Sequence, residues 1–328
     1  MRHSTLLLVV LGIAAILAPM TGLYPLFLLK CVAFALFAAA FNFFTGYVGL
    51  LSIGHAAFFG MGAYLAGHAA KEWGMPTELA LVASLGIGAV LGLAIGGMAI
   101  RRQGIYFAMI TLAMAQMIYF FCVQAPFTGA EDGLQRIPRG TLLGTYSLGN
   151  DLVLYGLVVV VALAAIWGLQ RLMEAPFGHV LLAIRDNEAR AISLGYDIKS
   201  YKLTAFVLSA ALAGLAGGLK ALTLGLASLP DVHWTLSGTV ILMCLLGGLG
   251  TSFGPIVGAI LVITLESKLA SMGVVQIGPL AVDFSTKVPI VIGLIFMSCV
   301  LLFRKGIVGE LIALAERLTA RRRELWPA

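Results

Sequence analysis

The sequence predicts an all-α integral membrane protein of about ten transmembrane helices, some broken or re-entrant, with both termini cytoplasmic. Three observations predict it. Of 328 residues, 60% are hydrophobic and only 11% charged, with mean hydropathy +1.02, whereas a soluble domain keeps charged residues near a quarter of its composition. So few charges cannot cover a water-facing surface. The apolar residues also come in repeated runs of nearly membrane-crossing length. Lysine and arginine gather in the short segments between those runs. Length alone would accommodate two soluble domains; the repeated runs instead make residues 1–328 one membrane domain.

A helix needs about 20 apolar residues to cross the hydrocarbon core. Ten runs qualify, at 5–20, 24–44, 55–70, 79–100, 104–124, 152–172, 203–225, 234–247, 253–271 and 288–303. The eighth is short, and a broken or re-entrant segment is tolerated only where protein or a cavity covers its backbone. With the N-terminus in the cytoplasm, the cytoplasmic segments hold Arg2, Arg101, Arg102, Arg171, Arg185, Arg190, Lys199, Lys202, Arg304, Lys305, Arg317, Arg321, Arg322 and Arg323. The outer segments hold Lys71, Arg136, Arg139, Lys268 and Lys287, and Lys30 and Lys220 fall inside runs. Fourteen against five obeys the positive-inside rule, and the reverse topology would invert it. An even number of runs returns the basic tail, 304–328, to the cytoplasm. The first run also resembles a signal peptide, but its removal would leave odd parity and a worse charge count. The net charge of +6 is accounted for by these segments and is no nucleic-acid signature.

Cys31, Cys122, Cys244 and Cys299 all lie within apolar runs and form no C-x-x-C pair, so they are expected to pack as small apolar residues, without disulfide or metal. Two glycine-rich stretches interrupt the pattern at cytoplasmic ends of runs: Gly46 to His55 (GYVGLLSIGH) and Gly247 to Pro255 (GGLGTSFGP). Both contain G-x-x-G followed by serine. They read either as the trace of a parallel internal repeat or as simple close-packing turns. Small residues recur in the third run (Gly60, Gly62, Ala63, Ala66, Gly67) and the seventh (Ala210, Ala211, Ala213, Gly214, Ala216, Gly217, Gly218), predicting faces where helix backbones approach closely.

Residues 173–202 form the one sizeable cytoplasmic loop. From His179 to Leu194 it reads as a short helix, with Pro176 before it and Gly195 as its stop. Val180, Ala183, Ile184 and Ala191 share one side; Arg185, Asp186, Glu188 and Arg190 charge the rest. A helix this short must dock on something, which predicts either an ordinary solvated loop or a docking helix for a cytoplasmic partner. The chain carries no G-x-x-x-x-G-K-[ST] phosphate loop, and its few intramembrane charges form no acidic relay of the kind an ion-coupled carrier needs. A transporter without a motor implies a motor on another chain. The alternatives are an ion-coupled carrier and a membrane enzyme; against the latter, His55, His68, His179 and His233 fall at scattered depths.

Several stretches, in order, resemble the M-type (LivM-type) permeases of branched-chain amino-acid ABC importers. They are Gly46–Gly67, Gly104–Met117, Thr128–Leu134, Ala183–Gly218, Ser237–Ala259 and Pro289–Gly309. The resemblance implies a paralogous H-type permease beside this one, two cytoplasmic ATPase subunits that hold ATP-Mg, and a periplasmic binding protein that selects the substrate. It implies no cofactor on this chain and a bacterial inner-membrane location. Leucine, isoleucine and valine are the expected cargo; relatives carry other amino acids, urea, short amides or aromatic acids. Arg185, Asp186, Asn187, Glu188, Arg190 and Gly195 would couple to the ATPase. The loop departs from the EAA-x-x-x-G pattern of another importer class, since Arg190 follows Glu188-Ala189, so that class's contacts do not transfer.

A permease fed by a selective binding protein should not grip its cargo, because tight binding slows release. Small and apolar residues should therefore line the pathway, with Asn42, Ser52, His55, Gln116, Ser209 and Lys220 as its few polar candidates. For Lys220 the structural alternative is snorkelling to the surface or pairing with Glu266. Outside, Glu131, Asp132, Arg136 and Arg139 in the loop 125–151 are candidates for docking the binding protein, where mixed charge steers encounter.

Overall fold

The computed structural model describes residues 12, 24–142, 146–272, 274–277, 280–302 and 306–310. Its helices are α1 (Pro25–Val48), α2 (His55–Lys71), α3 (Thr77–Ala99), α4 (Ile105–Gln124), α5 (Asp151–Glu174), α6 (Pro176–Asp186), α7 (Glu188–Ser193), α8 (Ile198–Leu224), α9 (Trp234–Gly247), α10 (Gly254–Met272) and α11 (Phe284–Leu302). Among the described residues, six helices are long and apolar enough to cross a membrane: α1, α3, α4, α5, α8 and α10. The chain is an all-α, multi-pass membrane protein. Nine of the ten apolar runs fall on helices of this bundle; the run at 5–20 and most of the 304–328 tail lie outside the described residues. The eighth run is indeed short: α9 has 14 residues, about 21 Å at 1.5 Å per residue, against a hydrocarbon core of about 30 Å.

The long α8 is the hub of the bundle, packed on α1, α2 and α3. Small residues make this possible. A Cβ on Gly217 would collide with the Phe59 carbonyl of α2, and one on Gly62 with the Gly214 carbonyl of α8. On the α3 side, Gly88 would meet the Ala210 carbonyl and Gly214 the Ser84 carbonyl. The small-residue faces predicted from sequence are these interfaces, in which backbone lies on backbone without a layer of side chains between. Beside them Phe41, Phe44, Phe58, Phe107 and Phe206 form a buried aromatic cluster around the His55 ring, mostly edge to face.

Short irregular segments cap one face of the bundle. Strands β1 (Leu134–Gln135) and β4 (Leu226–Ala227) pair antiparallel, stapling the segment after α4 to the segment after α8. Strands β2 (Thr141–Leu142) and β3 (Tyr146–Ser147) pair with each other, as do β5 (Val274–Ile277) and β6 (Leu280–Asp283). The opposite face carries α6 and α7. Cys31, Cys122 and Cys244 are buried free thiols that pack in the bundle; the Cys122 thiol lies 3.4 Å from the Met61 sulfur, and that of Cys244 bonds the Ala38 carbonyl.

Candidate functional site

The helix expected from His179 to Leu194 is instead two helices with a break at Asn187. Pro176 opens α6 at a position where its missing N–H costs nothing. Asn187 is extended (φ −157°, ψ 97°), and its side chain accepts from the Arg190 N–H at 3.0 Å, capping α7. The cap competes with continued helix and wins, because asparagine bonds its own backbone locally. Gly195 ends α7 as expected: its φ of +86° is left-handed, and its N–H reaches the Ile192 carbonyl at 2.9 Å.

The apolar side of this segment faces inward. Ile184, Ala191 and Ile198 are buried together, with Val180 and Tyr201 against them, while Ala183 is exposed. Phe177 stacks on Tyr201 with ring centroids 5.5 Å apart. The groove this face was expected to seek is therefore the chain's own bundle. The exposed apolar residues are others, Ile192 (61% exposed) and Leu194 (69%), which sequence periodicity did not single out.

The charged residues divide likewise. The Arg185 guanidinium donates to the Gly46 carbonyl at 2.6 Å, and its aliphatic part covers Gly49, where a Cβ would stand 2.7 Å from the Arg185 Cγ. Gly49 is the left-handed cap of α1 (φ +78°), so both space and backbone require glycine there. The Glu188 carboxylate accepts from Lys202 Nζ at 2.9 Å and Gln103 Nε2 at 2.7 Å. Asp186, Asn187, Arg190 and Gly195 are exposed. Asp186 bonds sideways, 3.4 Å from the Arg185 guanidinium.

Directly beneath Arg185, the two glycine-rich stretches meet: a Cβ on Gly46 would lie 2.9 Å from the Gly250 backbone. Asn42 clamps the turn between α9 and α10 from both sides. Its Oδ1 accepts from the Gly250 N–H at 2.8 Å, and its Nδ2 donates to the Thr251 carbonyl at 3.0 Å. Thr251 completes the turn by donating to the Gly248 carbonyl and accepting from the Gly254 N–H.

The other pathway candidates do not gather in one place. His55 and Ser209 are paired in the core at 2.9 Å, with Ser209 donating to the Ala40 carbonyl at 2.6 Å. The Ser52 hydroxyl and the Gln116 Oε1 are buried without a hydrogen-bond partner among the described residues. Lys220 pairs with Asp231, not Glu266. The distance is 2.6 Å and both side chains are under 10% exposed. Asp231 sits in a 3₁₀ turn after α8 and also accepts from the Ser228 N–H and hydroxyl. Glu266 lies 3.6 Å from Lys30 instead. Lys220 thus has a neighbour eleven residues on that helical periodicity did not flag. Residues missed from sequence include Tyr64, whose hydroxyl is buried without a partner among the described residues, and Ser237, which accepts the Ala56 N–H at 2.8 Å.

On the opposite face Glu131, Asp132 and Arg136 are exposed. Arg139 is taken up within the chain, bonding the Asp151 carboxylate, while its carbonyl accepts from Thr77.

A bundle of long apolar helices with a clamped, broken loop across one face defines a polytopic membrane protein. A family model described as the permease component of branched-chain amino acid transport systems matches residues 24–304, and the chain belongs to that family. It is similar to the high-affinity branched-chain amino acid transport permease LivM of Escherichia coli, with 29% identity over 245 residues, 68% of this chain. The match spans 58% of that relative's length. It is also similar to the galactose/methyl galactoside import permease MglC of Salmonella typhimurium (25% over 214 residues, 61% of each) and the fructose import permease FrcC of Rhizobium meliloti (26% over 236 residues, 68% of this chain and 63% of that protein). The LivM-type resemblance read from the sequence is thus supported by the family and by LivM itself.

Proposed function

We propose that this chain is the membrane-spanning permease subunit of an ATP-driven importer that moves branched-chain amino acids inward across a bacterial inner membrane. The observation that carries the proposal is the family match over 24–304 together with the similarity to LivM. Both termini then lie in the cytoplasm, in keeping with the distribution of lysine and arginine. The proposed assembly adds a paralogous H-type permease, two ATPase subunits holding ATP-Mg, and a periplasmic binding protein that selects the cargo. The α6–α7 segment faces the ATPase, offering Asp186, Arg190, Ile192 and Leu194, all exposed. Glu131, Asp132 and Arg136 on the other face suit transient encounter with the binding protein.

The similarity to MglC and FrcC favours a second reading, in which the same architecture carries a sugar. The test is uptake into vesicles holding the assembled complex and its binding protein, with leucine, valine, galactose and fructose offered separately. ATP-dependent leucine or valine uptake is expected. Sugar uptake alone would replace the cargo assignment, and uptake by this chain without any ATPase would sink the importer itself.

A further inference from the structure

Asn187 divides the segment across the cytoplasmic face into two arms; both pack apolar side chains against the start of α8, but the polar side-chain bonds of each arm go to a different set of elements. Arg185, at the end of α6, bonds the Gly46 carbonyl near the end of α1. One helical turn before Gly46, Asn42 holds Gly250 and Thr251. Arm α6, the end of α1 and the α9–α10 turn thus form one hydrogen-bonded block. Glu188, the first residue of α7, bonds Lys202 of α8 and Gln103 of the α3–α4 turn. Lys202 is only 4% exposed, so this carboxylate stands in for the water its ammonium has lost. Arm α7, the start of α8 and the α3–α4 turn form the second block. Between the arms lies one extended residue, Asn187 (φ −157°, ψ 97°), where the chain changes direction: its N–H closes α6 on the Ala183 carbonyl at 3.0 Å and its carbonyl opens α7 by accepting from the Ala191 N–H at 3.2 Å.

We propose that Arg185 and Glu188 are positioning residues that divide motion of this segment between two helix groups, with Asn187 as the joint. Through Arg185 a displacement reaches α1 and the turn behind the short helix α9. Through Glu188 it reaches the hub helix α8. The inference rests on the proposal that this segment faces an ATPase. It assigns these two side chains inward, leaving contact with the ATPase to Asp186, Arg190, Ile192 and Leu194.

The test uses the full assembly in vesicles, reading uptake and ATP hydrolysis separately, with co-purification of the ATPase as a third readout. Glu188→Lys should cut uptake per ATP by about ten-fold while the ATPase still co-purifies, and adding Lys202→Glu should restore most of it, as expected for a directly coupled pair. Arg185→Ala should uncouple similarly, with partial rescue by Arg185→Lys. Unchanged uptake in Glu188→Lys and Arg185→Ala overturns the proposal. So does loss of the ATPase from the complex without rescue by the charge swap, which would mean that these residues touch the ATPase directly; the importer reading would then survive. A readout free of ATP is amide exchange in the solubilised full chain. Arg185→Ala should raise exchange in α6 and residues 248–251, and Glu188→Gln in α7. Equal change in both arms, or none, overturns the two-arm assignment even if transport is confirmed. A wild-type complex with no ATP-driven uptake counts against the importer reading and leaves the exchange test standing.

Discussion

The middle and the ends of α8 are held in opposite ways. Its middle, around Ala210 to Gly218, meets α2 and α3 with backbone against backbone and no charge in sight. Its ends each carry a nearly buried lysine, Lys202 and Lys220, and each lysine is paired with a carboxylate from a neighbouring connecting segment, Glu188 at the start of α7 and Asp231 in the 3₁₀ turn. Contact of small residues is a matter of shape: it admits no extra atom, but it says nothing about which loop belongs where. A buried ion pair adds little net stability, because desolvation offsets attraction, but a carboxylate in the wrong place leaves a bare charge. The middle therefore fixes how closely the helices pack, and the ends fix which loop closes over each face.

The largest effect that would test this contrast is Gly217→Leu. Overpacking an ordinary core costs about 1–3 kcal/mol, and here the obstacle is the Phe59 carbonyl, which has no rotamer by which to yield. Folded, membrane-inserted protein should fall sharply, measured as monodisperse yield after solubilisation. Gly156→Leu is the control, since nothing lies within 4 Å of its Cβ position. If both glycines tolerate leucine equally, close packing at α8 is not what holds the middle.

An intermediate effect belongs to the Lys220 end. Lys220→Met leaves Asp231 buried and unpaired, a loss of about 3–5 kcal/mol where such pairs are broken. Lys220→Met with Asp231→Asn removes both charges and should recover much of that loss. Thermal stability and uptake, measured separately, sharpen the comparison. Parallel loss and parallel recovery make the pair structural; intact stability with lost uptake moves Lys220 into the pathway.

The smallest effect lies at the Lys202 end, just before α8 begins. Asp197 accepts from the Ser200 hydroxyl at 2.5 Å, which holds its carboxyl below the ordinary value of 3.8. A depressed carboxylate contributes order above its unfolded pKa and loses that contribution as pH falls through the folded one. Local opening of the first turn of α8, read as amide exchange divided by the intrinsic rate at each pH, should thus stay flat through neutral pH and rise only in acid. Ser200→Ala should move that rise to higher pH. An unchanged profile would mean that the first turn is held by Ile198 and Tyr201 packing alone.

Much of this architecture was legible in the sequence. Hydropathy located nine helices that the described residues contain, and the glycine and alanine faces of the third and seventh runs identified the backbone-on-backbone contact between α2 and α8. These succeed because lipid exposure and close backbone approach are both properties of a residue's own side chain. The candidate site was legible only in part. Arg185 and Glu188 were chosen as charges for a partner, yet both bond the chain itself, because their acceptors and donors at Gly46, Lys202 and Gln103 are distant in sequence. The break at Asn187 had a local signal, an asparagine able to cap the next turn, but helical periodicity on either side masked it.

Composition and apolar spacing by themselves determined that this chain lives in a membrane, and roughly where its helices run. They also marked where backbones could touch, since a missing Cβ is visible in the letter. Hydropathy did not distinguish α8 from α4, whose most apolar 18-residue stretches are nearly alike although 83% of that stretch is buried in α8 and 28% in α4. Only the tertiary structure decided which apolar helix became the hub, that Lys220 belongs to Asp231 and Lys30 to Glu266, and that the two glycine-rich stretches meet beneath Arg185. The physical reason is that lipid and protein interior are equally apolar, so burial carries no hydrophobic preference there. Partner choice falls instead to shape and to a few polar bonds, and both depend on residues brought together only when the bundle closes.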